Sequence, residues 1–317
     1  MIKIFSLIKN KLEEIPVEKL KQNQKNPVWV ELNSPTKEEV NMIKKHFHIH
    51  PTTEEDLLLN QTRVKYEEFE ENTFVVFKGI KKIKTSDTET YNISFLLGEN
   101  YLITSHSEKV ETIDYLIENP KRIELLLKKN RDYIFYYILD KETDKYLRIK
   151  NGITEEFKKT EKKFVRELEE EVLEELFEKE MILLEIRQLM ESVTDLCLNL
   201  IKPTDNYIDN RLIPYFRDIY DHSFKTTESL RSMLGRINGM RNSYQSIISN
   251  KINETMRILT LIMAIMMPMT IITGFYGMNI NLPLKNHPLV WIFLLGLMVG
   301  ISIIMFFVFR RVDLRFN

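Results

Sequence analysis

Two patterns of hydrophobicity divide the 317-residue chain. Up to about residue 257 apolar positions are interleaved with charges. From residue 258 the charges stop: residues 258–275 are 18 uncharged positions, residues 288–309 are 22, and twelve residues separate the two runs. At about 1.5 Å per helical residue, such runs match a bilayer core of about 30 Å. The pattern predicts a transmembrane hairpin, with helices at about 256–275 and 288–309 and the rest of the chain on one side.

The charged part changes period twice. Through residue 131 short β-rich runs at 2–8, 28–32, 74–80, 93–97 and 101–104 alternate with helix starts at Ser34-Pro35 and at Pro51, which predicts an α+β domain with a mixed sheet. Lys3 and Lys9 interrupt the apolar N-terminal run, so it reads as a first strand and not as a signal peptide. From residue 132 to 200 the period is helical, with an apolar seam at Leu168, Val172, Leu176 and Leu183. A last helix begins near Pro214 and meets no further proline until Pro268. Some 55 residues make a rod of about 80 Å, which needs copies of itself around an axis to bury its apolar positions. The expected organisation is therefore an α+β cytoplasmic domain (1–131), a helical domain and stalk (132–252) and a transmembrane domain (253–317).

Charge refines this picture. The net charge of −1 gives no sign of a nucleic-acid partner, and residues 258–309 contain only Lys285 and the ionisable His287. Lys251 and Arg257 flank the first run, and Arg310, Arg311 and Arg315 follow the second. With one lysine in the loop, both termini are expected in the cytoplasm of a plasma-membrane protein. Between residues 155 and 180 there are eleven glutamates against six lysines and arginines. They read as the solvated face of an antiparallel helix pair, or as a surface that concentrates cations.

Candidate chemistry is sparse in the charged part. No glycine-rich phosphate loop or nucleophile elbow gives an enzyme a starting point. The lone Cys197 excludes an intramolecular disulfide and reads as filler on a helix face. His46, His48 and His50 alternate as strand ligands would, but their helix-to-loop context makes them surface residues. On the first span, Asn253, Met256, Leu259 or Thr260, Met263, Met267, Thr270, Gly274 and Gly277 recur at steps of three and four, hence on one helix face. Small and polar residues so placed pack helices in lipid, or line a pore.

Tyr276-Gly277-Met278-Asn279, directly after the first span, resembles the signature of the CorA family of divalent-cation channels. Asn253-Glu254-Thr255-Met256, Met267-Pro268-Met269-Thr270 and Tyr215-Phe216-Arg217-Asp218-Ile219-Tyr220-Asp221-His222 extend the likeness. So do Trp29 before Asn33-Ser34-Pro35, Ile49-His50-Pro51 before Glu55-Asp56, and Arg63-Val64-Lys65-Tyr66 before Phe74. The resemblance implies a homopentamer whose first spans line a voltage-driven magnesium pore. Gly277, Met278 and Asn279 then form the ion's first contact. Neutral oxygens there suit Mg²⁺, which sheds water reluctantly and would be held too tightly by carboxylates. Met256, Met263 and Met267 are soft partners for a hard ion and suit a dewetting constriction.

The resemblance also implies closure by cytoplasmic Mg²⁺ bridging Asp56 and Asp218 of neighbouring subunits, with Glu55 and Asp221 in an outer role. The chain departs from many relatives in its acid-free loop and its less basic tail. A transporter of zinc, cobalt or nickel from the related ZntB-like branch remains an alternative, and so does a membrane-anchored coiled-coil scaffold without transport.

Overall fold

Strand alternation builds the first core. In β3 (Val28–Asn33) the side chains of Val28, Val30 and Leu32 lie on one face and those of Trp29 and Glu31 on the other, all buried. A sheet covered on both faces is the consequence. The computed structural model describes residues 1–23, 26–58, 62–83, 88–166, 170–202, 207–280 and 287–316. They form two compact units, Met1–Gly239 and Met240–Asn317.

The first unit contains a seven-stranded mixed sheet in the order β2-β1-β3-β7-β6-β5-β4. The other strands are β1 (Ile2–Ile8), β2 (Lys11–Glu14), β4 (Lys65–Glu68), β5 (Asn72–Ile83), β6 (Thr88–Gly98) and β7 (Tyr101–His106). Among the described residues only β3 and β7 pair in parallel, with Val28 opposite Tyr101. The expected runs at 2–8, 28–32, 74–80, 93–97 and 101–104 all lie within strands. β2 and β4 were not expected, because each is a four-residue, charge-rich edge strand without apolar alternation.

A short helix, α1 (Leu20–Asn23), precedes β3. Helices α2 (Lys37–Lys44) and α3 (Pro51–Leu58) cover one sheet face through Val40, Ile43 and Leu57. The expected start of α2 at Pro35 is corrected by its cap. Thr36 is the N-cap, and its hydroxyl accepts from Glu39 N while Glu39 Oε2 accepts from Thr36 N. This reciprocal pair satisfies two orphan donors and outweighs proline's preference for the first helical position. Pro51 does open α3.

On the other face lie α4 (Glu111–Glu118), α5 (Pro120–Lys129) and α6 (Asp132–Arg166). Phe135 meets Phe95 edge-on at 4.9 Å, and Tyr146 meets Phe77 at 6.1 Å. Glu142 of α6 is fully buried and accepts hydrogen bonds from Tyr91 Oη (2.5 Å), Thr112 Oγ1 (2.5 Å) and Lys145 Nζ (2.9 Å). Burial, and then the Glu142 charge beside it, push the Tyr91 hydroxyl up, so it stays a donor. Gly79 faces Tyr91 across the ladder, and a Cβ there would sit 2.3 Å from the tyrosine ring. Replacing Glu142 by Ala leaves three donors without their shared acceptor. We expect a loss of about 3 kcal/mol and a smaller one for Glu142→Gln, as read by chemical denaturation.

Helix α7 (Glu170–Ile201) returns along α6, burying Val172, Leu176 and Leu183 of the expected seam; Leu168 lies outside the described residues. Cys197 is buried on this helix and its thiol is pushed up to about 12 by that burial, as filler requires. Helix α8 (Ile213–Tyr276) is 64 residues long and runs unbroken through Pro268, so the stalk and the expected first span at about 256–275 are one helix. Proline removes one N–H, that facing the Ala264 carbonyl; the bonded turns on either side carry the helix past it. In the first unit α8 buries Phe216, Ile219, Leu230, Met233, Leu234 and Ile237, with Phe216 against Phe135 at 5.7 Å.

Candidate functional site

The second unit holds the end of α8 and α9 (Val290–Phe316). Both are long and apolar enough to cross a membrane, and neither apolar segment is buried inside the chain. Along α8 the exposed and half-exposed positions separate. Leu261, Ala264, Ile265, Pro268, Met269, Ile272 and Tyr276 are the less exposed ones. Asn253, Met256, Leu259, Thr260, Met263, Met267, Thr270 and Gly274 are all exposed. The candidate stripe is therefore on the side of α8 that its own chain leaves uncovered.

The hydroxyls on this segment have a fixed polarity. Thr260 Oγ1 donates to Met256 O at 2.8 Å, and Thr270 Oγ1 donates to Met266 O at 2.9 Å. With the proton committed to the backbone, the lone pairs remain as acceptors. Thr260 and Thr270 thus present oxygen, which suits a cation. Met256, Met263 and Met267 between them present only sulfur and methyl groups, a poor replacement for an ion's water.

The signature follows directly after α8. Gly277 N donates to Thr273 O at 2.8 Å, and a Cβ at Gly277 would sit 2.9 Å from that carbonyl. Gly277 has no positive φ, so glycine is needed here for close approach and not for a left-handed turn. Met278 and Asn279 are exposed beyond it. Phe275 O likewise accepts from Met278 N at 3.3 Å, and a helix C-terminus carries about half a negative charge. Gly277, Met278 and Asn279 therefore sit where backbone oxygens gather. The loop at 281–286, with Lys285, lies outside the described residues.

The sensing candidates belong to the first unit. Asp218 is open, with a side chain 68% exposed and His222 Nε2 3.6 Å away. Asp221 and Glu55 are exposed. Asp56 is different. Its Oδ1 accepts from Thr62 Oγ1 at 3.1 Å, its Oδ2 is paired with Lys65 Nζ, and only 13% of the side chain is exposed. Among the described residues Asp56 contacts Thr62 and Lys65, and Asp218 contacts His222, so the two aspartates are not joined by a hydrogen bond. Among the described residues no group of three or more histidine, cysteine or acidic side chains is arranged to hold a metal ion. The sequence offers no signal for Thr62 and Lys65 as partners of Asp56, because spacings of six and nine residues out of a helix follow no secondary-structure period.

The remaining candidates are also placed. His46, His48 and His50 follow α2 in a loop, not a strand. His48 Nδ1 lies 3.8 Å from Glu71, and His50 stacks on Phe69 at 4.8 Å. In the acidic stretch, Glu161 forms a two-pronged pair with Arg236 of α8, while Glu156 and Glu175 engage Lys179 at 3.5 and 3.4 Å. Part of that acidity thus ties α6, α7 and α8 together.

A family model described as CorA-like Mg²⁺ transporter protein matches residues 24–311. The chain is 27% identical over 294 residues to the cobalt/magnesium transport protein CorA of Thermotoga maritima, covering 92% of this chain and 84% of that protein. It is 25% identical over 309 residues to the cobalt/magnesium transport protein CorA of Methanocaldococcus jannaschii, covering 96% and 95%. The complete structure of the CorA magnesium transporter from Methanocaldococcus jannaschii is similar with a TM-score of 0.78 at 23% identity, over 98% of both chains. The ZntB cytoplasmic domain from Vibrio parahaemolyticus is similar in fold, with a TM-score of 0.59 at 13% identity. With the match running from the sheet through the signature to the second span, the chain belongs to the CorA-like Mg²⁺ transporter protein family.

Proposed function

We propose that five copies of this chain form a plasma-membrane channel for Mg²⁺, with α8 lining the pore and both termini in the cytoplasm. The observation that carries this reading is the uncovered stripe on α8 that ends at Gly277, Met278 and Asn279. Copies of α8 around an axis place Thr270 and Asn253 oxygens, the methionines, and the carbonyl-rich helix end along one path. Hydrated Mg²⁺ first meets Asn279 and the backbone oxygens near Gly277, which exchange hydrogen bonds with its water without a charge trap. A divalent ion crossing 100 mV gains about 4.6 kcal/mol, twice the value for one elementary charge. That drives uptake without a nucleotide. The relatives named cobalt/magnesium transport proteins support this class of ion.

Internal Mg²⁺ closes the channel by bridging Asp56 and Asp218 of neighbouring subunits, with Glu55 and Asp221 in outer contact. Repulsion between facing carboxylates is removed when the ion binds, so occupied interfaces favour one symmetric ring. Flux through purified protein in liposomes, measured for Mg²⁺, Co²⁺, Ni²⁺ and Zn²⁺, tests the reading. Uptake of Mg²⁺ supports it, uptake of Zn²⁺ alone favours the zinc-carrying branch, and absence of flux favours the scaffold.

The methionine stripe gives a further expected outcome. If Met256, Leu259, Met263 and Met267 close the pore by excluding water, Met256→Ser eases hydration and raises basal conductance several-fold, on the order of 1 kcal/mol of barrier. Unchanged conductance on polar replacement at all four positions places the gate elsewhere.

A further inference from the structure

We infer that Lys65 is a tethered cation that occupies the Asp56 and Glu67 carboxylates, so that a divalent ion binds there only by displacing its ammonium. The inference rests on the proposed sensing role of Asp56 and adds what sets its threshold.

The geometry is that of a filled cation site. Lys65 opens β4 and Glu67 follows two residues later, hence on the same face of the strand. Asp56 comes from α3. Lys65 Nζ is paired with Asp56 Oδ2 and lies 3.3 Å from Glu67 Oε1. The Lys65 side chain is only 16% exposed, and its ammonium sits 5.3 Å from the centre of the Phe74 ring. Thr62 Oγ1 supplies a hydroxyl oxygen at Asp56. Two carboxylates share one ammonium, so the cluster keeps a formal charge of −1, and Glu67 Oε2 is buried without a hydrogen-bond partner.

The polar partners of the ammonium are carboxylate oxygens of Asp56 and Glu67, the kind of donor that hard divalent ions take. An ammonium on a short tether acts at an effective concentration in the millimolar range or above. A divalent ion at millimolar concentration therefore competes with it on comparable terms. Lys65 thus holds the site empty of metal until internal Mg²⁺ is high.

The test titrates Mg²⁺ against the full-length protein in nanodiscs, reading protection from chymotrypsin, which does not cut at lysine, and the shift of Tm. Lys65→Gln is expected to lower the Mg²⁺ midpoint about tenfold and to enlarge the Mg²⁺-dependent rise in Tm. Lys65→Arg, which keeps the charge, stays near the wild-type midpoint. If Lys65→Gln does not fold, Lys65→Met, which keeps the length of the side chain without its charge and leaves both carboxylates in place, is expected to lower the midpoint likewise. Should the lysine variants keep the wild-type midpoint while Asp56→Asn raises it, Asp56 senses Mg²⁺ and the competition is overturned. Should Asp56→Asn also leave the midpoint unchanged, the sensing role of Asp56 fails and the inference fails with it.

Discussion

Asn279→Ala is expected to abolish Mg²⁺ flux while leaving the oligomer assembled. Asn279 is exposed beyond the end of α8 and lies outside the buried core of the first unit. Its carboxamide oxygen is the one side-chain acceptor in Gly277-Met278-Asn279, and hydrated Mg²⁺ needs such acceptors because it keeps most of its water. Alanine removes them in every copy at once, so the loss multiplies around the ring. A deficit of about 1 kcal/mol per hydrogen bond, summed over several subunits, lowers ion occupancy by orders of magnitude. Flux into liposomes together with sizing of the solubilised protein provides the measurement. Wild-type flux from an intact Asn279→Ala oligomer would remove the signature from the ion's path.

The second large effect concerns closure. The sequence alone suggests reversing both charges, with Asp56→Lys and Asp218→Lys, which is expected to keep the channel conducting at millimolar internal Mg²⁺. The surroundings of Asp56 argue for a milder change there. A lysine at 56 would face the Lys65 ammonium, inside a site where the native pair is only 13% and 16% exposed. Breaking a part-buried pair that way unsettles α3 against β4 for reasons unrelated to gating.

Asp56→Asn with Asp218→Lys avoids this, since Asp218 is open. Both proposed carboxylate ligands have then lost their negative charge, and flux and chymotrypsin sensitivity should no longer change between micromolar and millimolar internal Mg²⁺. An unchanged Mg²⁺ midpoint in the double variant would mean that the sensor lies elsewhere, with the glutamates at 155–180 the next to test. Of these, Glu161, Glu156 and Glu175 are already engaged within the chain.

The periodic part of this protein was legible without coordinates. Uncharged runs at 258–275 and 288–309 dictate membrane spans because charge is expelled from hydrocarbon. β-branched and aromatic runs dictate β1, β3, β5, β6 and β7 because a buried sheet needs them. The stripe from Asn253 to Gly277 follows from helical geometry alone, and its exposure needed only the knowledge of which face the chain covers.

Tertiary structure decided what local rules leave open. It set the strand order, with β3 (ending at Asn33) beside β7 (starting at Tyr101) across the two helices and three strands between them. It brought Lys65 onto Asp56, an encounter that depends on how α3 packs against an edge strand whose own sequence is almost wholly polar. The physical reason is range. Hydrophobic period and capping act over one or two turns, whereas the partner of a buried charge is whichever group the completed core leaves beside it.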